Sequence, residues 1–279
     1  MTVVLLVLLG TVGASDRARP AYDSYVSLGD SYTAAPFVPL TDVASGCYRS
    51  SNNYPRLLAA ALHVDELDDR SCSGAQTQDL PQSQRTSFGA TVPPQFAALT
   101  EATDLVTVGI GANNYGLYAR LATACRRSTQ ICALHNQRDH LHWIVDQLRP
   151  ALSSTLEQVK ALAPNARVLL VGYPRLLPPR GTCVRLPRMR SEDRATFRAI
   201  NLRLRVEMRA AAEDADVEFV DFYAASYRHH VCSQDPWIQG RIGSSRVGAA
   251  LHPLAAGQSA LARQIEQTLR SDPPAEAGR

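Results

Sequence analysis

Short apolar runs alternate along the chain with longer segments in which apolar residues recur at helical spacing. The runs predict strands at residues 21–28, 105–110, 167–172 and 217–222, with a weaker one at 64–70. Helical spacing predicts helices at residues 54–62, 140–162, 191–213 and 255–269. We expect Pro150 to kink or divide the second helix and Ser191 to cap the third. This alternation predicts one α/β domain whose parallel sheet carries helices on both faces.

The two ends of the chain depart from this pattern. Residues 3–12 read VVLLVLLGTV and are followed by the small residues Gly13 and Ala14, although no basic residue precedes them. Such a run is typical of a signal peptide and is too short to span a bilayer comfortably; the alternative is a buried element of the fold. We therefore predict a signal peptide at residues 1–14, a folded domain at 21–270 and a disordered tail at 271–279.

Composition narrows the class of protein. The 279 residues are 45% hydrophobic and 20% charged, with a formal net charge of +3 and no basic block, so nothing predicts a nucleic-acid partner. An even number of cysteines without a CxxC pair argues against zinc ribbons and thiol redox chemistry. An oxidising compartment would let them pair, in any of about 15 ways; the alternative is free thiols in the cytosol. The six are Cys47, Cys72, Cys125, Cys132, Cys183 and Cys232.

Candidate chemistry lies at the turns that follow the strands. Ser31 follows a strand and a Gly-Asp step, so its hydroxyl is expected at the sheet edge, where Asn113 follows another strand. A serine needs a base to become a nucleophile, and His252 precedes the last helix. Gly74 and Asn113 can donate hydrogen bonds to an oxyanion. Each residue alone has a common structural role, which for Ser31 is helix capping, and no histidine pair has metal-site spacing.

In combination these residues resemble the SGNH hydrolases, the GDSL-type lipases and esterases. The matching blocks occur in the family's order at residues 27–34, 72–75, 110–114 and 251–253. The resemblance implies a three-layer α/β/α flavodoxin-like fold and ester hydrolysis without a metal or cofactor. It assigns Ser31 as nucleophile, His252 as base, and the backbone of Ser31, the backbone of Gly74 and the side chain of Asn113 as oxyanion donors.

The chain departs from the family pattern at two positions. Asn114 stands where an aspartate is usual, and Ala249 stands where many members carry the aspartate that orients the histidine. A subgroup of secreted actinobacterial lipases, esterases and phospholipases orients it with a main-chain carbonyl, here of Ala249 or Ala250; Asp235 is the alternative partner. Similarity to that subgroup also implies the disulfides Cys47–Cys72, Cys125–Cys132 and Cys183–Cys232.

The combined prediction is a secreted, monomeric serine ester hydrolase that acts on a small-molecule or lipid ester. Beyond the leader, no transmembrane segment is predicted. The same fold could instead serve a carbohydrate deacetylase or a thioesterase. A protein of another class, a secreted binding protein without catalysis, is the further alternative.

Overall fold

The computed structural model describes residues 22–87, 89–123 and 134–271. The predicted signal peptide, Cys125, Cys132 and residues 272–279 lie outside the described residues. Within the described part of the chain, no helix is long and apolar enough to cross a membrane.

Strands and helices alternate through the described residues as the sequence predicts. The strands are β1 Ser24–Gly29, β2 Thr41–Asp42, β3 Arg49–Ser50, β4 Glu66–Asp69, β5 Gln84–Arg85, β6 Thr91–Val92, β7 Leu105–Gly109, β8 Arg167–Val171 and β9 Glu218–Val220. The helices are α1 Ser31–Ala34, α2 Tyr54–Leu62, α3 Leu117–Thr123, α4 Arg138–Asp146, α5 Leu148–Leu162, α6 Ser191–Asp214, α7 Phe222–Ala225 and α8 Ala255–Ser271. Short 3-10 turns occur at Thr77–Asp79, Gln95–Ala98, Asn114–Gly116 and Leu134–Gln137.

Five strands form the central parallel sheet, in the order β4-β1-β7-β8-β9. Numbered within the sheet, this is the flavodoxin-like order 2-1-3-4-5, which confirms the predicted fold. Register places Gly29 of β1 beside Gly109 of β7, so the turns after these strands leave the same edge side by side. The order changes direction at β1, and ligands bind at such a switch point, beyond the carboxyl ends of the strands.

The sheet is buried on both faces because alternate strand residues point to opposite sides. On one side, β-strand residues such as Val106 and Leu170 pack with residues of α4, α5 and α6. On the other side, Leu105 and Leu169 pack with residues of α2 and α8. The result is the three-layer arrangement, in which the strand ends are held between two apolar layers.

Several predicted boundaries were wrong. The helical segment 140–162 is divided as expected, but the break lies at Gln147 rather than at Pro150 itself. Pro150 lies in the first turn of α5, where its missing backbone N–H breaks no bond within that helix. Ser191 is the first residue of α6; Arg190 occupies the cap position and its side chain makes no cap hydrogen bond. The last strand ends at Val220, because Asp221 caps α7 by accepting from the Ala224 amide. Ser271 belongs to α8 rather than to a disordered tail.

Two of the three expected disulfides join described residues. Cys47 bonds to Cys72 and Cys183 bonds to Cys232. The first fixes the segment that follows β4, where the Cys72 amide also donates to the Gly29 carbonyl over 2.9 Å. The second ties the segment before α6 to the long connection between α7 and α8. Both crosslinks therefore constrain loops at the carboxyl edge of the sheet.

The closeness of β1 and β7 predicts a specific coupling between Gly109 and Thr33. A Cβ at position 109 would overlap the Thr33 hydroxyl, while its next neighbour, the Tyr54 hydroxyl oxygen, would be 3.5 Å away. We expect Gly109→Ala to lower the free energy of unfolding by about 1–3 kcal/mol through overpacking. In a chain that already carries Thr33→Ala, the change Gly109→Ala should lower the free energy of unfolding much less. Urea unfolding of both single variants and the double variant measures this.

Gly29→Ala is the matched control for this double-mutant cycle. A Cβ there would meet the Thr33 hydroxyl and also the Gly109 backbone carbonyl oxygen, at 2.8 Å. Thr33→Ala should therefore fail to rescue Gly29→Ala. Additive free-energy changes for Gly109→Ala and Thr33→Ala would contradict the coupling.

Candidate active site

Ser31 is positioned by a sharp change from strand to helix. β1 ends at Gly29, and Asp30 is the N-cap of α1: its Oδ1 accepts from the Tyr32 amide over 2.8 Å. Ser31 is thus the first helical residue and not the cap. This places its hydroxyl at the carboxyl edge of the sheet, beside the turn that follows β7.

His252 reaches Ser31 from the opposite end of the chain. Its Nε2 lies 2.8 Å from Ser31 Oγ, across 221 residues of sequence. Leu251, just before it, has a φ of 59°, a left-handed conformation that turns the backbone. The His252 amide donates to the Ala249 carbonyl over 3.1 Å, and its carbonyl accepts from the Gln239 amide over 2.8 Å. The backbone on both sides of His252 is therefore fixed.

A backbone carbonyl faces the other ring nitrogen of His252. Nδ1 lies 2.8 Å from the Ala250 carbonyl oxygen, which can only accept, so Nδ1 carries the proton and Nε2 is the acceptor for Ser31. The Tyr118 hydroxyl donates to the same carbonyl over 2.8 Å and lies 3.2 Å from Nδ1. Asp235 is elsewhere: its Oδ2 is 3.4 Å from Nδ1 of His229.

Aromatic rings enclose the imidazole. The Tyr32 ring centroid lies 4.8 Å from that of His252, and the Tyr118 ring meets it edge-on at 5.2 Å. Burial lowers the pKa of His252 to about 4, against the smaller opposing effect of the bond to the Ala250 carbonyl. The imidazole is therefore neutral at neutral pH, as a proton acceptor must be.

The predicted oxyanion donors lie on two loops that are bonded to each other. Asn113 Nδ2 donates to the Ala75 carbonyl over 3.1 Å. The Asn114 side chain accepts from the Thr77 amide over 3.1 Å and donates to the Thr77 hydroxyl over 2.7 Å. The Asn114 amide thus joins the loop after β7 to the 3-10 turn at Thr77–Asp79.

Two backbone N–H groups at the site are unpaired within the described part of the chain. Neither the Ser31 amide nor the Gly74 amide has a hydrogen-bond acceptor there. Gly74 has a φ of 85°, in the left-handed region that favours glycine, and is exposed. Both amides can therefore donate to an incoming anion.

A buried bond connects the Ser31 turn to the loop that carries Asn113. The Tyr173 hydroxyl donates to Asp30 Oδ2 over 2.5 Å and accepts from the Ala112 amide over 2.9 Å. Burial raises the pKa of Asp30 to about 7, although the bonds from Tyr173 and from the Tyr32 amide oppose the shift. Tyr173 thus fixes both sides of the site relative to β8.

Sequence reasoning missed Tyr118, Tyr173 and Asp30 as supporting residues. Asp30 carried a usable signal, because an aspartate just before a predicted helix is a standard cap. The two tyrosines carried none: their contacts with His252 and Asp30 span 134 and 143 residues. Among the described residues, no group of three or more His, Cys, Asp or Glu side chains could hold a metal ion.

A groove of about 280 Å³ opens beside His252. Its walls come from α3, from the segment 249–252 and from two residues of other loops, Pro187 and Arg241. His252 thus borders this groove.

The chain is similar to known proteins along most of its length. The model of the GDSL-like Lipase/Acylhydrolase family matches residues 27–260. "Lipase 2" of Streptomyces coelicolor is 34% identical over 95% of this chain and 93% of its own length.

Two solved structures share the fold along nearly their whole length. The phospholipase A1 of Streptomyces albidoflavus NA297 has a TM-score of 0.74 at 30% identity, covering 88% of this chain and 99% of its own. The extracellular lipase of Streptomyces rimosus has a TM-score of 0.75 at 28% identity, covering 88% and 98%.

The burial of His252 predicts an unusually acidic titration. We expect its imidazole to take up a proton near pH 4 in the folded protein. NMR titration of labelled histidines measures this, with His252→Gln identifying the signal. Titration near pH 6.5, the ordinary value, would contradict it.

The same shift has a consequence for stability. In the unfolded chain, His252 binds its proton near pH 6.5. The contribution of the neutral His252 to the free energy of unfolding is therefore complete above pH 6.5. It is lost progressively as the pH falls toward 4, by up to about 3 kcal/mol. The raised pKa of Asp30 acts in the opposite sense. The difference in the free energy of unfolding between the wild type and His252→Gln, measured across this pH range, therefore isolates the effect of the histidine.

Proposed function

Because this chain belongs to the GDSL-like lipase/acylhydrolase family and is a carboxylic ester hydrolase, we propose that Ser31 and His252 are its catalytic dyad. The 2.8 Å contact between Ser31 Oγ and His252 Nε2 carries the proposal. A non-catalytic binding protein, one alternative at the outset, does not fit the family or its lipase relatives.

In the proposed acylation step, His252 Nε2 accepts the Ser31 proton while Ser31 Oγ attacks the ester carbonyl carbon. The carbonyl π electrons move to oxygen and form a tetrahedral oxyanion. As the bond to the alkoxy group breaks, the imidazolium donates its proton to the departing oxygen, and the alcohol leaves. In the second half, His252 takes a proton from water, whose oxygen attacks the acyl carbonyl carbon. As the bond from that carbon to Ser31 Oγ breaks, the imidazolium returns its proton to Oγ, and the acid leaves.

The oxyanion is stabilised by three donors in this proposal: the Ser31 amide, the Gly74 amide and the Asn113 side chain. The two amides have no acceptor within the described residues, so they need not break a bond to serve. Asn113 Nδ2 carries two hydrogens; one is used on the Ala75 carbonyl and the other remains for the substrate. Donors that are already oriented need no reorganisation when charge develops.

The Ala250 carbonyl takes the orienting role that an aspartate has in a triad. It fixes the Nδ1–H tautomer through a 2.8 Å bond, so Nε2 presents its lone pair to Ser31. A neutral carbonyl stabilises the imidazolium less than a carboxylate would. In compensation, no buried negative charge has to be accommodated beside the ring.

We further propose that the chain is secreted. The apolar leader at residues 3–12, the two disulfides and similarity to an extracellular lipase support an extracytoplasmic protein. The Cys125–Cys132 bond and the monomeric state stay predictions.

Covalent labelling tests the nucleophile. We expect a fluorophosphonate to label the folded wild type once per chain and Ser31→Ala not at all, since only an activated serine reacts. Ser259→Ala, on the surface helix α8, is the matched control and should label normally. Labelling that persists in Ser31→Ala would identify a different nucleophile.

Removal of the proposed side-chain donor tests the oxyanion site. We expect Asn113→Ala to lower kcat by about 10²–10³ with little change in KM, because the bond strengthens as the oxyanion forms. Asn165→Ala is the matched control. It deletes a side-chain amide that also donates to a distant backbone carbonyl, that of Glu101, but lies at the protein surface. Its kcat should stay within twofold, and a similar kcat in both variants would contradict the role of Asn113.

A further inference from the structure

The oxyanion donor proposed at Gly74 belongs to a tight turn. The Ala75 amide donates to the Cys72 carbonyl over 3.1 Å, which closes a four-residue β-turn. Gly74, the third residue of this turn, has a φ of 85°, the sign that distinguishes a type II turn from a type I turn. The two types differ by a half-turn rotation of the central peptide, which here joins Ser73 to Gly74.

The orientation of this central peptide decides whether the Gly74 N–H can serve the reaction. Rotation of the peptide changes the φ of Gly74, and glycine adopts positive and negative φ about equally well. Because the carbonyl oxygen and the N–H of a trans peptide point in opposite directions, rotation reverses both. A reversed peptide would turn the Gly74 N–H away from the substrate and present the Ser73 carbonyl oxygen there, which repels an oxyanion.

The Gln84 side chain holds the central peptide in one orientation. Its Nε2 donates to the Ser73 carbonyl over 3.0 Å, and within the described residues this carbonyl accepts from no other group. The carbonyl oxygen can only accept, so the Gln84 atom that faces it is the amide donor. A bond to the oxygen on one side of the peptide plane fixes the direction of the Gly74 N–H on the other side.

Gln84 is itself held in place, while other contacts fix only the start of the turn. Gln84 is 5% exposed, and its backbone pairs with Val92 in the antiparallel ladder of β5 and β6. At the start of the turn, Cys72 is bonded to Cys47, and the Ser73 amide donates to the Cys47 carbonyl over 3.0 Å. Neither contact involves the central peptide, so its orientation depends on Gln84.

We propose that Gln84 is a positioning residue for the oxyanion site: through the Ser73 carbonyl it keeps the Gly74 N–H directed at the substrate carbonyl oxygen. This rests on the proposed function of Ser31 and His252. In this role Gln84 acts only through the central peptide, without contact to the reacting atoms. Its loss should therefore slow the chemical step more than it weakens binding of the ester.

Gln84→Met removes the donor and keeps the length of the side chain. With p-nitrophenyl butyrate as substrate, we expect kcat to fall by about 10- to 100-fold and KM to change by less than about threefold. The fold should survive, because Gln84 Oε1 is buried without a hydrogen-bond partner in the described part of the chain, and methionine removes that atom. Circular dichroism and thermal unfolding verify the fold.

Gln158→Met is the matched control. Gln158 Nε2 also donates to a backbone carbonyl, that of Ser154, over 3.1 Å, but on the exposed surface of α5. Its kcat should stay within twofold of the wild-type value. If Gln84→Met also has a kcat within twofold of the wild type, or changes KM alone, the proposal is overturned.

Gln84→Glu tests the hydrogen-bond donor at nearly constant side-chain volume. An ionised carboxylate only accepts hydrogen bonds, whereas the protonated acid can donate one to the Ser73 carbonyl. Burial raises the pKa of a carboxyl group, so the kcat of this variant, divided by that of the wild type, should rise as the pH falls from about 8 to about 5. Division by the wild-type value removes the effect of His252 protonation, which both proteins share.

Comparison of the two Gln84 variants separates the donor from charge. If Gln84→Glu at low pH exceeds Gln84→Met in kcat, the restored donor is responsible, as proposed. If it recovers only to the level of Gln84→Met, the loss came from repulsion between the carboxylate and the oxyanion, and the proposal is overturned. The ratio for Gln158→Glu should not change with pH; an equal rise there would reduce the effect to net charge and also overturn the proposal.

These outcomes are distinct from a failure of the proposed function. If the folded wild type cleaves no ester and a fluorophosphonate does not label Ser31, the dyad assignment fails and the role of Gln84 fails with it. If Ser31→Ala and Asn113→Ala lose activity as expected while both Gln84 variants keep the wild-type kcat, only the role of Gln84 fails.

Discussion

The contact between Ser31 and His252 is the constraint on which the site depends. Its two partners are 221 residues apart in sequence, and the Oγ–Nε2 distance is 2.8 Å. One partner is placed by the sheet: β1 and β7 pair through to Gly29 and Gly109, and α1 starts at once after Asp30. The other partner lies on a connection with almost no regular secondary structure. A proton can pass between them only if that connection is as well fixed as the sheet.

Local contacts supply this rigidity between α7 and α8. The rings of His229 and Trp237 stack with centroids 3.8 Å apart, and the Asp235 carboxylate lies against His229. The Trp237 carbonyl then accepts from the Leu254 amide over 2.7 Å, just after His252. Cys232 is bonded to Cys183 at the start of the same connection. Asp235 therefore supports the loop that carries His252, although its carboxylate lies against His229.

The sequence predicted the parts of the structure that local pattern determines. Apolar β-branched runs located the central strands, and the helical spacing of apolar residues predicted α2 to the residue; in the structure Asn53 caps it. The order of the four motifs along the chain was sufficient to identify which loops meet at the sheet edge.

What could not be predicted depends on contacts between distant segments. Tyr118 and Tyr173 resemble any other partly buried tyrosines until the fold brings one to the Ala250 carbonyl and the other to Asp30. Likewise, no sequence pattern indicated that segments 182–190 and 239–241 would line up beside His252.

Desolvation connects these features into one physical account of the site. Enclosure by tyrosine rings removes water from His252, which lowers its pKa to about 4 and keeps it neutral without a carboxylate neighbour. Removing water also raises the pKa of Asp30 to about 7, so its helix-capping role relies on strong bonds from Tyr173 and the Tyr32 amide. A carboxylate beside His252 would have needed similar support in the same apolar space. The Ala250 carbonyl accepts from the ring without adding a charge, and that is why, in the proposed dyad, a backbone group can take the place of the third residue of a triad.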